Sequence, residues 1–445
     1  MATRTGSDLA AWREASQRVF EFAEECFDLK VTADTIAGTP PEVSMTSESL
    51  VLLDFYGASG GVGRCTRELL RAFARNGQEV WCCGLSHVID SLKKALGEIE
   101  EVRFANLAQP WFDPRVAYLR AAARLWPKSP ETSSVLVKEA LRRSGKSGQT
   151  TTRCLLVNYP QVFPPPRGVS GFSVYIYDLN WLNYPENFPN PSETEAWCRG
   201  WVERSALVIT SSEFTRNEVI RCYKLSPSLV VAAPLAPFRE ECHAVNSGDE
   251  EQTAVKVMEG RYYLYPAVWG MHKGFRTLTE ALERTEKTDP VVVTCGYPLD
   301  GIENSTPSLA ELRRELWPRW EKLIADGRLI VMRNLLDDQL RRLRSQCKAF
   351  VLPSEYEGFG LPLVEAVYHH RAAIATSIPA HMEILTRYPQ YRLATVFEPG
   401  SAEVLARNLN QDRVDVSPEP ERWKEEIDET WSWLHAVRRI LTALN

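Results

Sequence analysis

This 445-residue sequence lacks several features that would indicate a membrane-spanning, secreted or nucleic-acid-binding protein. No run of about 18 apolar residues is present, so no segment is predicted to span a membrane. The first residues, MATRTGSDLAAWREASQRVFEF, lack a basic stretch followed by an apolar core, so we expect no secretory signal. The net charge of −6 argues against general nucleic-acid binding. Together these absences favour a globular cytoplasmic protein.

The ten cysteines also lack the C-x-x-C spacing that zinc sites commonly use. Several of them lie in apolar segments such as VWCCGL. Because disulfides are rare in the cytosol, we expect reduced and mostly buried thiols.

Short apolar segments typical of β-strands alternate with amphipathic helical segments along most of the chain. Continuous apolar strands joined by helices predict parallel sheets that are covered on both faces. The polar stretch ECHAVNSGDEEQ (241–252) separates two such series, so we expect two open α/β sheets with a deep cleft between them. The predicted strands are 50–56, 79–85, 154–158, 172–177, 207–212 and 229–233, followed by 262–268, 291–296, 328–332, 349–353 and 372–376.

This alternation sets the predicted domain boundaries. Residues 1–47 form an N-terminal extension with a helix expected around 8–25, and 48–245 form the first α/β domain. The second α/β domain covers 255–425, and a single final helix with Trp431 and Val437 on its apolar side is expected within 426–445.

The segment PSEYEGFGLPLVEA (353–366) carries the strongest signal for a ligand site. A strand ends before this loop, and a helix is expected to begin near Leu361 with a proline in its first turn. Gly358 and Gly360 let the backbone approach a ligand closely. The free N–H groups at a helix start suit a diphosphate.

Two glutamates flank this helix start. Glu357 lies in the loop and Glu365 lies one turn into the helix, so we expect both to face one ligand and to clamp ribose or sugar hydroxyls. Glycoside hydrolases also use a carboxylate pair, but theirs must flank the cleaved bond at roughly 5–10 Å. The hydrolase is therefore the weaker hypothesis.

The segment resembles the hallmark of the retaining family-4 glycosyltransferases, in which seven residues separate two glutamates. Members have the GT-B fold, with two Rossmann-like domains whose parallel sheets face each other across a cleft. Further blocks resemble the family in the same order, and the resemblance covers roughly residues 48–440. They are GASGGVGRCTRELLRAFARNG (57–77), YDLNWLNYPENFP (177–189), ALVITSSEFTRNEV (206–219), LYPAVWGMHKGFRTLTEAL (264–282) and FEPGSAEVLARNL (397–409).

The resemblance implies a nucleotide-sugar donor bound by the second domain. It places Lys273 against the donor diphosphate, where an ammonium and a helix N-terminus stabilise the charge that grows on the leaving group. His272 precedes Lys273, and its alternative role is packing against Trp269. No metal or other cofactor is expected, since the sequence has no D-x-D triplet. The implied catalytic residues are Glu357, Lys273 and Asp178, and the implied donor-binding residues are Gly358, Phe359, Gly360, Leu361, Glu365 and His272.

In the first domain the resemblance implies a glycine loop at Gly60, Gly61 and Gly63 that faces the diphosphate or the acceptor, with a tight turn as the alternative. Arg64 is expected to contact phosphate or an anionic acceptor. Asp178 is expected at the lip of the cleft, where it would polarise the acceptor.

The sequence departs from the family pattern at three positions. His370 and Ala372 stand where glycine and proline are common after the second glutamate's helix, which is expected to alter a helix–strand turn. Val268 replaces the usual arginine five residues before Lys273 and removes a potential diphosphate contact. These departures make an unusual donor or weakened activity further alternatives.

A basic patch at 115–153 holds nine Lys/Arg and two Glu in an otherwise acidic chain. It is compatible with peripheral contact to an anionic inner-membrane face, where lipid-linked acceptors lie, and equally with a solvated basic helix pair.

These observations predict a metal-independent retaining transferase that moves a hexose from GDP-mannose or a UDP-sugar to a glycan, lipid-linked or small-molecule hydroxyl. A nucleotide-sugar epimerase on the same fold and an inactive sugar-nucleotide-binding scaffold are the alternatives. The WGMHKG block favours mannose.

Overall fold

The computed structural model contains two parallel β-sheets flanked by helices, as the strand and helix alternation predicts. It describes residues 49–58, 60–107, 130–145, 154–238, 262–285, 291–295, 306–332, 335, 337–411 and 420–445. The extension at 1–47 and its expected helix lie outside these residues, as does most of the basic patch at 115–153.

The first sheet has seven parallel strands in the order β3-β2-β1-β4-β5-β6-β7. Six of its strands match the predicted segments, and β3 is the one that the sequence analysis missed. This strand lies at the sheet edge with an exposed Arg103, so it lacks the continuous apolar run of a strand covered on both faces. The strands are β1 Leu50–Asp54, β2 Val80–Gly84, β3 Val102–Asn106, β4 Leu155–Asn158, β5 Ser173–Ile176, β6 Leu207–Thr210 and β7 Val230–Ala232.

The second sheet has six parallel strands in the order β10-β9-β8-β11-β12-β13. The unpredicted strand is again at an edge: β13 exposes Val396, so it too lacks an uninterrupted buried run. The strands are β8 Tyr262–Pro266, β9 Val291–Cys295, β10 Leu329–Met332, β11 Ala349–Leu352, β12 Ala372–Thr376 and β13 Ala394–Phe397.

Helices connect the strands in both domains and bury their apolar stripes against the sheets. The predicted helix after β1 is present, and it buries Cys65, Leu69 and Phe73 on one face. The first-domain helices are α1 Gly60–Arg75, α2 Ser86–Leu96, α3 Pro130–Arg143, α4 Asn180–Asn183, α5 Pro191–Val202 and α6 Glu213–Tyr223. The second-domain helices are α7 Phe275–Arg284, α8 Pro307–Ala325, α9 Asp337–Gln346, α10 Leu361–Tyr368, α11 Pro379–Arg387 and α12 Ala402–Leu409.

The C-terminal segment forms two helices, α13 Pro420–Thr430 and α14 Trp433–Leu444, where one was expected. The break falls at Ser432, whose hydroxyl hydrogen-bonds the His435 ring at 2.9 Å. The tail returns to the first domain: the indole N–H of Trp431 donates to the Leu235 carbonyl at 2.6 Å, and that of Trp433 donates to the Pro237 carbonyl at 2.9 Å. One hydrophobic cluster therefore runs through both domains and the tail.

Six of the eight cysteines in the described part of the chain are buried, which confirms the prediction of mostly buried thiols. In that same part, no helix combines the length and apolar character needed to cross a membrane.

The start of α7 requires glycine at position 274. Gly274 has φ of +71°, and a Cβ there would collide with the Pro353 carbonyl at the end of β11. We expect Gly274→Ala to cost about 2–5 kcal/mol through the left-handed backbone and the clash together. Gly400→Ala is the matched control, since Gly400 has φ of +78° and no heavy atom near its Cβ position. Thermal midpoints of the two variants should differ clearly, and equal midpoints would show that the close approach is unimportant.

Candidate functional site at the facing edges of the two sheets

The loop between β11 and α10 forms the centre of the site. The helix starts at Leu361 with Pro362 in its first turn, as predicted, and Gly360 precedes it with φ of +97°. Gly358 has no room for a side chain, because a Cβ there would collide with the Tyr177 carbonyl and lie 2.6 Å from the Asp178 Cβ. The loop therefore lies directly against the first domain.

Glu357 and Lys273 form an ion pair inside this site. The Lys273 Nζ lies 2.7 Å from Glu357 Oε1, and the Ser354 hydroxyl donates to the same oxygen at 2.8 Å. The two charged side chains are 18% and 14% exposed. Burial would raise the pKa of Glu357, but the nearby positive charge of Lys273 and the bonds to it outweigh burial and lower this pKa to about 2. The carboxylate is therefore ionised at neutral pH.

The segment that carries Lys273 is held from both domains. It is a short 3₁₀ turn, Met271–Lys273, whose Lys273 carbonyl accepts a hydrogen bond from the Tyr265 hydroxyl at 2.8 Å. From the first domain, Asn187 contacts the turn: its Oδ1 accepts from the Met271 N–H at 2.8 Å, and its Nδ2 lies 2.9 Å from His272 Nδ1. This amide aligns the turn with the cleft.

His272 is buried beside Tyr184 and Tyr356, with ring centroids 5.6 and 6.5 Å away. Trp269 has ring contacts with Phe275 and Trp320, at centroid distances of 4.2 and 6.4 Å. Burial first and the Lys273 charge second lower the pKa of His272 to about 3. The imidazole is therefore neutral near pH 7.

Asp178 lies two residues beyond β5 and faces Gly358. It is half-buried against the loop between β11 and α10. Its expected position at the lip of the cleft stays a prediction. Its Oδ1 accepts a hydrogen bond from the Asn180 N–H at 2.9 Å, and burial raises its pKa above the usual value. Lys273 and Glu357 both act on it electrostatically.

Glu365 is buried between two arginines from different domains. Its Oε2 lies 2.8 Å from Arg344 Nε, and its Oε1 lies 3.8 Å from Arg64 on α1. The Arg64 guanidinium also lies over the Phe238 ring, 4.2 Å from its centroid. Arg64 thus reaches across the cleft to a carboxylate, where a phosphate or an acceptor was expected. Because Arg64 is farther from Oε1 than Arg344 is from Oε2, Oε1 is the more weakly bound of the two carboxylate oxygens.

The predicted glycine loop is the first turn of a helix, which is a correction to the sequence analysis. Helix α1 begins at Gly60, and Gly61, Gly63 and Arg64 lie inside it. Gly63 is required by packing, since a Cβ there would collide with the Ala58 backbone. Among the described residues, no heavy atom lies within 4 Å of the Cβ position of Gly61, so packing does not require glycine there.

The turn after α10 contains His370 with φ of +49°, in the left-handed region that glycine favours. A bulky residue therefore holds this helix–strand turn at the position where the family commonly has glycine.

Comparisons with known proteins show what the chain is similar to. Residues 248–429, which include Lys273, Glu357 and Glu365, match the family model described as "Glycosyl transferases group 1". The match covers the second α/β domain. With the two facing parallel sheets, the chain has the GT-B fold.

Two curated proteins to which the chain is similar are named as O-antigen mannosyltransferases. The chain is 25% identical over 262 residues to "O-antigen chain mannosyltransferase B" of Escherichia coli, covering 56% of this chain and 61% of the relative. It is 20% identical over 223 residues to "O-antigen chain mannosyltransferase RfbU" of Salmonella typhimurium, covering 49% and 56%. The matches thus span about three fifths of the relatives. Among solved structures, Anabaena Alr3699/HepE in complex with UDP and glucose has a TM-score of 0.61 at 15% identity, covering 89% of this chain and 99% of that one.

Several residues of the candidate site were missed from the sequence. Arg344 lies on the polar, charged helix α9, where arginines are normally read as solvent-exposed, yet it is 3% exposed. Ser354 and Asn187 are short polar residues in loops and carry no distinctive spacing. His381, buried behind Gly360, has its Nδ1 3.0 Å from the Thr376 carbonyl. Across the described residues, no group of three or more His, Cys, Asp or Glu side chains is arranged to hold a metal ion.

The lowered pKa of Glu357 makes a pH-dependent contribution to stability. The folded pKa of about 2 lies below the usual glutamate pKa of 4.5, so this stabilisation is present above pH 4.5 and is lost as the pH falls toward 2. We expect Glu357→Gln to destabilise the protein by up to about 3 kcal/mol at pH 7, with the deficit shrinking between pH 4.5 and 3. Thermal midpoints measured across this range test it, with the exposed Glu311→Gln as control. A deficit that is independent of pH would contradict the assignment.

Proposed function

We propose that this chain is a retaining hexosyltransferase that uses a nucleoside diphosphate sugar and needs no metal ion. The observation that carries the proposal is the Lys273–Glu357 ion pair, 2.7 Å long, beside the start of helix α10. An ammonium and the free N–H groups of a helix start favour a diphosphate for the same electrostatic reason.

The hydrogen bonds around the ion pair leave groups for both the sugar and the diphosphate of such a donor. An ammonium has three donors, and one of those on Lys273 is used by Glu357. The bonds that Glu357 accepts from Lys273 and Ser354 both go to Oε1. Its Oε2 then receives a hydroxyl of the donor sugar, while Lys273 turns its remaining N–H groups toward the diphosphate.

The nucleoside lies farther along α10 in this proposal. Glu365 Oε1, which is 3.8 Å from Arg64, accepts a ribose hydroxyl. Arg64 is close enough to add a second positive charge near the phosphates, and this offsets the absence of an arginine at Val268. The backbone of Gly358, Phe359, Gly360 and Leu361 faces the same ligand.

In the proposed reaction the acceptor oxygen attacks the anomeric carbon from the face that the diphosphate leaves. The C1–O bond to the β-phosphate breaks, the new C1–O bond forms on the same side, and a donor phosphate oxygen takes the hydroxyl proton. The charge that develops on the leaving diphosphate is stabilised by Lys273 and the helix start. Asp178 lies on the first-domain side of this centre, where the proposal has it orient the acceptor hydroxyl.

Mannose is the proposed hexose, supported by the names of the two O-antigen relatives and by the WGMHKG block. GDP-mannose is the first donor to test, followed by UDP-sugars. The acceptor is proposed to be a saccharide or lipid-linked hydroxyl. Peripheral membrane contact through 115–153 stays a prediction.

A donor panel with the purified full-length protein tests the proposal. One nucleotide-sugar should be hydrolysed slowly without acceptor and transferred with retained configuration when acceptor is present. Lys273→Met should lower kcat by about 10²–10³-fold, because one preorganised charge at the leaving group is lost. Turnover in EDTA should equal that without it. Product configuration is read by NMR.

Lys322→Met is the control, since Lys322 is exposed on α8. Full activity in Lys273→Met would contradict the proposal. Donor binding without turnover would identify an inactive scaffold, and interconversion of the donor sugar without acceptor would identify an epimerase.

A further inference from the structure

We propose that helix α6 of the first domain is a positioning element for Glu357, acting through Ser212, Thr215 and Glu218. This inference rests on the proposed function and adds to it the way in which the loop between β11 and α10, which carries Glu357, is held. The loop belongs to the second domain, yet the residues on both sides of Glu357 are hydrogen-bonded to the first.

The residue after Glu357 is bonded to the start of α6. The Gly358 carbonyl accepts a hydrogen bond from the Ser212 hydroxyl at 2.5 Å and another from the Thr215 hydroxyl at 2.8 Å. Ser212 and Thr215 are fully buried, and Ser212 is the N-cap of the helix, where its Oγ accepts from the Thr215 N–H at 2.9 Å. A buried carbonyl that loses such partners carries a desolvation penalty. The Gly358 peptide is therefore fixed by the first domain.

The residue before Glu357 is bonded to the next turn of the same helix. The Tyr356 hydroxyl donates to Glu218 Oε2 at 2.8 Å and accepts from the Leu179 N–H at 3.0 Å. Tyr356 and Glu218 are 7% and 5% exposed. Asn183 Nδ2 lies 3.3 Å from the other oxygen of Glu218 and holds the carboxylate in place.

The three first-domain residues share one face of α6. Positions 212, 215 and 218 are each three residues apart, a spacing that brings side chains together on a helix. The same helix end also receives Glu383 from the second domain, whose carboxylate accepts from the N–H groups of Glu213 and Phe214 at 3.1 and 2.9 Å. A carboxylate at a helix N-terminus is favourable. The helix is thus bonded to the second domain at several points.

Glu357 itself differs from its two neighbours in the domain to which its hydrogen-bond partners belong. Its hydrogen-bond donors, Lys273 and Ser354, both belong to the second domain. The carboxylate can therefore keep its ion pair when the domains separate, while its flanking residues lose their anchors. The orientation of Glu357 toward a donor sugar consequently depends on the closed arrangement of the domains, and nucleotide binding to the second domain depends on it much less.

Thr215→Val tests this inference because it removes one hydroxyl and keeps the side-chain shape. We expect hydrogen exchange of the amides at 356–360 to accelerate, and kcat to fall about tenfold from the loss of a buried hydrogen bond. The Kd for the nucleoside diphosphate of the active donor should stay within about threefold. Thr215→Ser should restore both exchange and kcat.

Tyr356→Phe is the second variant, since it removes the hydroxyl that bridges Leu179 and Glu218. Thr285→Val is the matched control: Thr285 is buried at the far end of α7, and its hydroxyl bonds the Leu282 carbonyl at 2.7 Å. The control should leave exchange at 356–360 and kcat unchanged, whatever it does to the melting temperature.

Unchanged exchange at 356–360 in both Thr215→Val and Tyr356→Phe would overturn the inference. So would a fall in kcat matched by an equal loss of nucleotide affinity, since that would indicate general damage to the site. If the wild-type protein turns over no nucleotide-sugar, the proposed function fails while the exchange measurement still decides the role of α6.

Discussion

The ion pair between Lys273 and Glu357 is the interaction on which the account of this protein depends. Both side chains are mostly buried, and a buried charge that lacks its partner is strongly destabilising. Further hydrogen bonds stabilise the pair. Ser354 donates to the carboxylate, and Tyr265 and Asn187 hold the turn that carries the lysine. A charged pair maintained beside a helix start is preorganised for an anionic ligand.

The two domains are joined by polar contacts, many of which involve the loop between β11 and α10. Helix α6, the segment around Asp178 and the carboxylate of Glu383 all contribute, and the tail returns from the second domain to the first through Trp431 and Trp433. Since one hydrophobic cluster includes residues of both domains and the tail, the domains share a core and also a polar interface. The proposed donor site in the second domain is thereby linked to the geometry of the first.

The sequence predicted the parts of the structure that obey strong local rules. Eleven strands follow from buried apolar runs, and the start of α10 at Leu361 follows from two glycines and a proline. The edge strands β3 and β13 were missed because each has a solvent-exposed position that interrupts the apolar pattern. The glycine segment was assigned to a loop, whereas the helix already begins at Gly60.

The candidate site was predicted less completely, because its partners come from distant parts of the chain. The pairing of Lys273 with Glu357 spans 84 residues, and that of Tyr356 with Glu218 spans 138. No local pattern distinguishes Arg344, which appears on a polar helix but lies buried against Glu365. The close approach of Asp178 to Gly358 was missed because that glycine belongs to a loop of the other domain.

Calorimetric titration with nucleotides that differ by one phosphate tests whether a diphosphate binds at the Lys273–Glu357 ion pair. For the base that the protein recognises, the nucleoside diphosphate should bind at least about tenfold more tightly than the monophosphate, and Lys273→Met should remove that difference while leaving monophosphate affinity nearly unchanged. Two results would contradict diphosphate binding at the ion pair. One is equal affinity of the wild-type protein for the diphosphate and the monophosphate, and the other is a difference in affinity that persists in Lys273→Met.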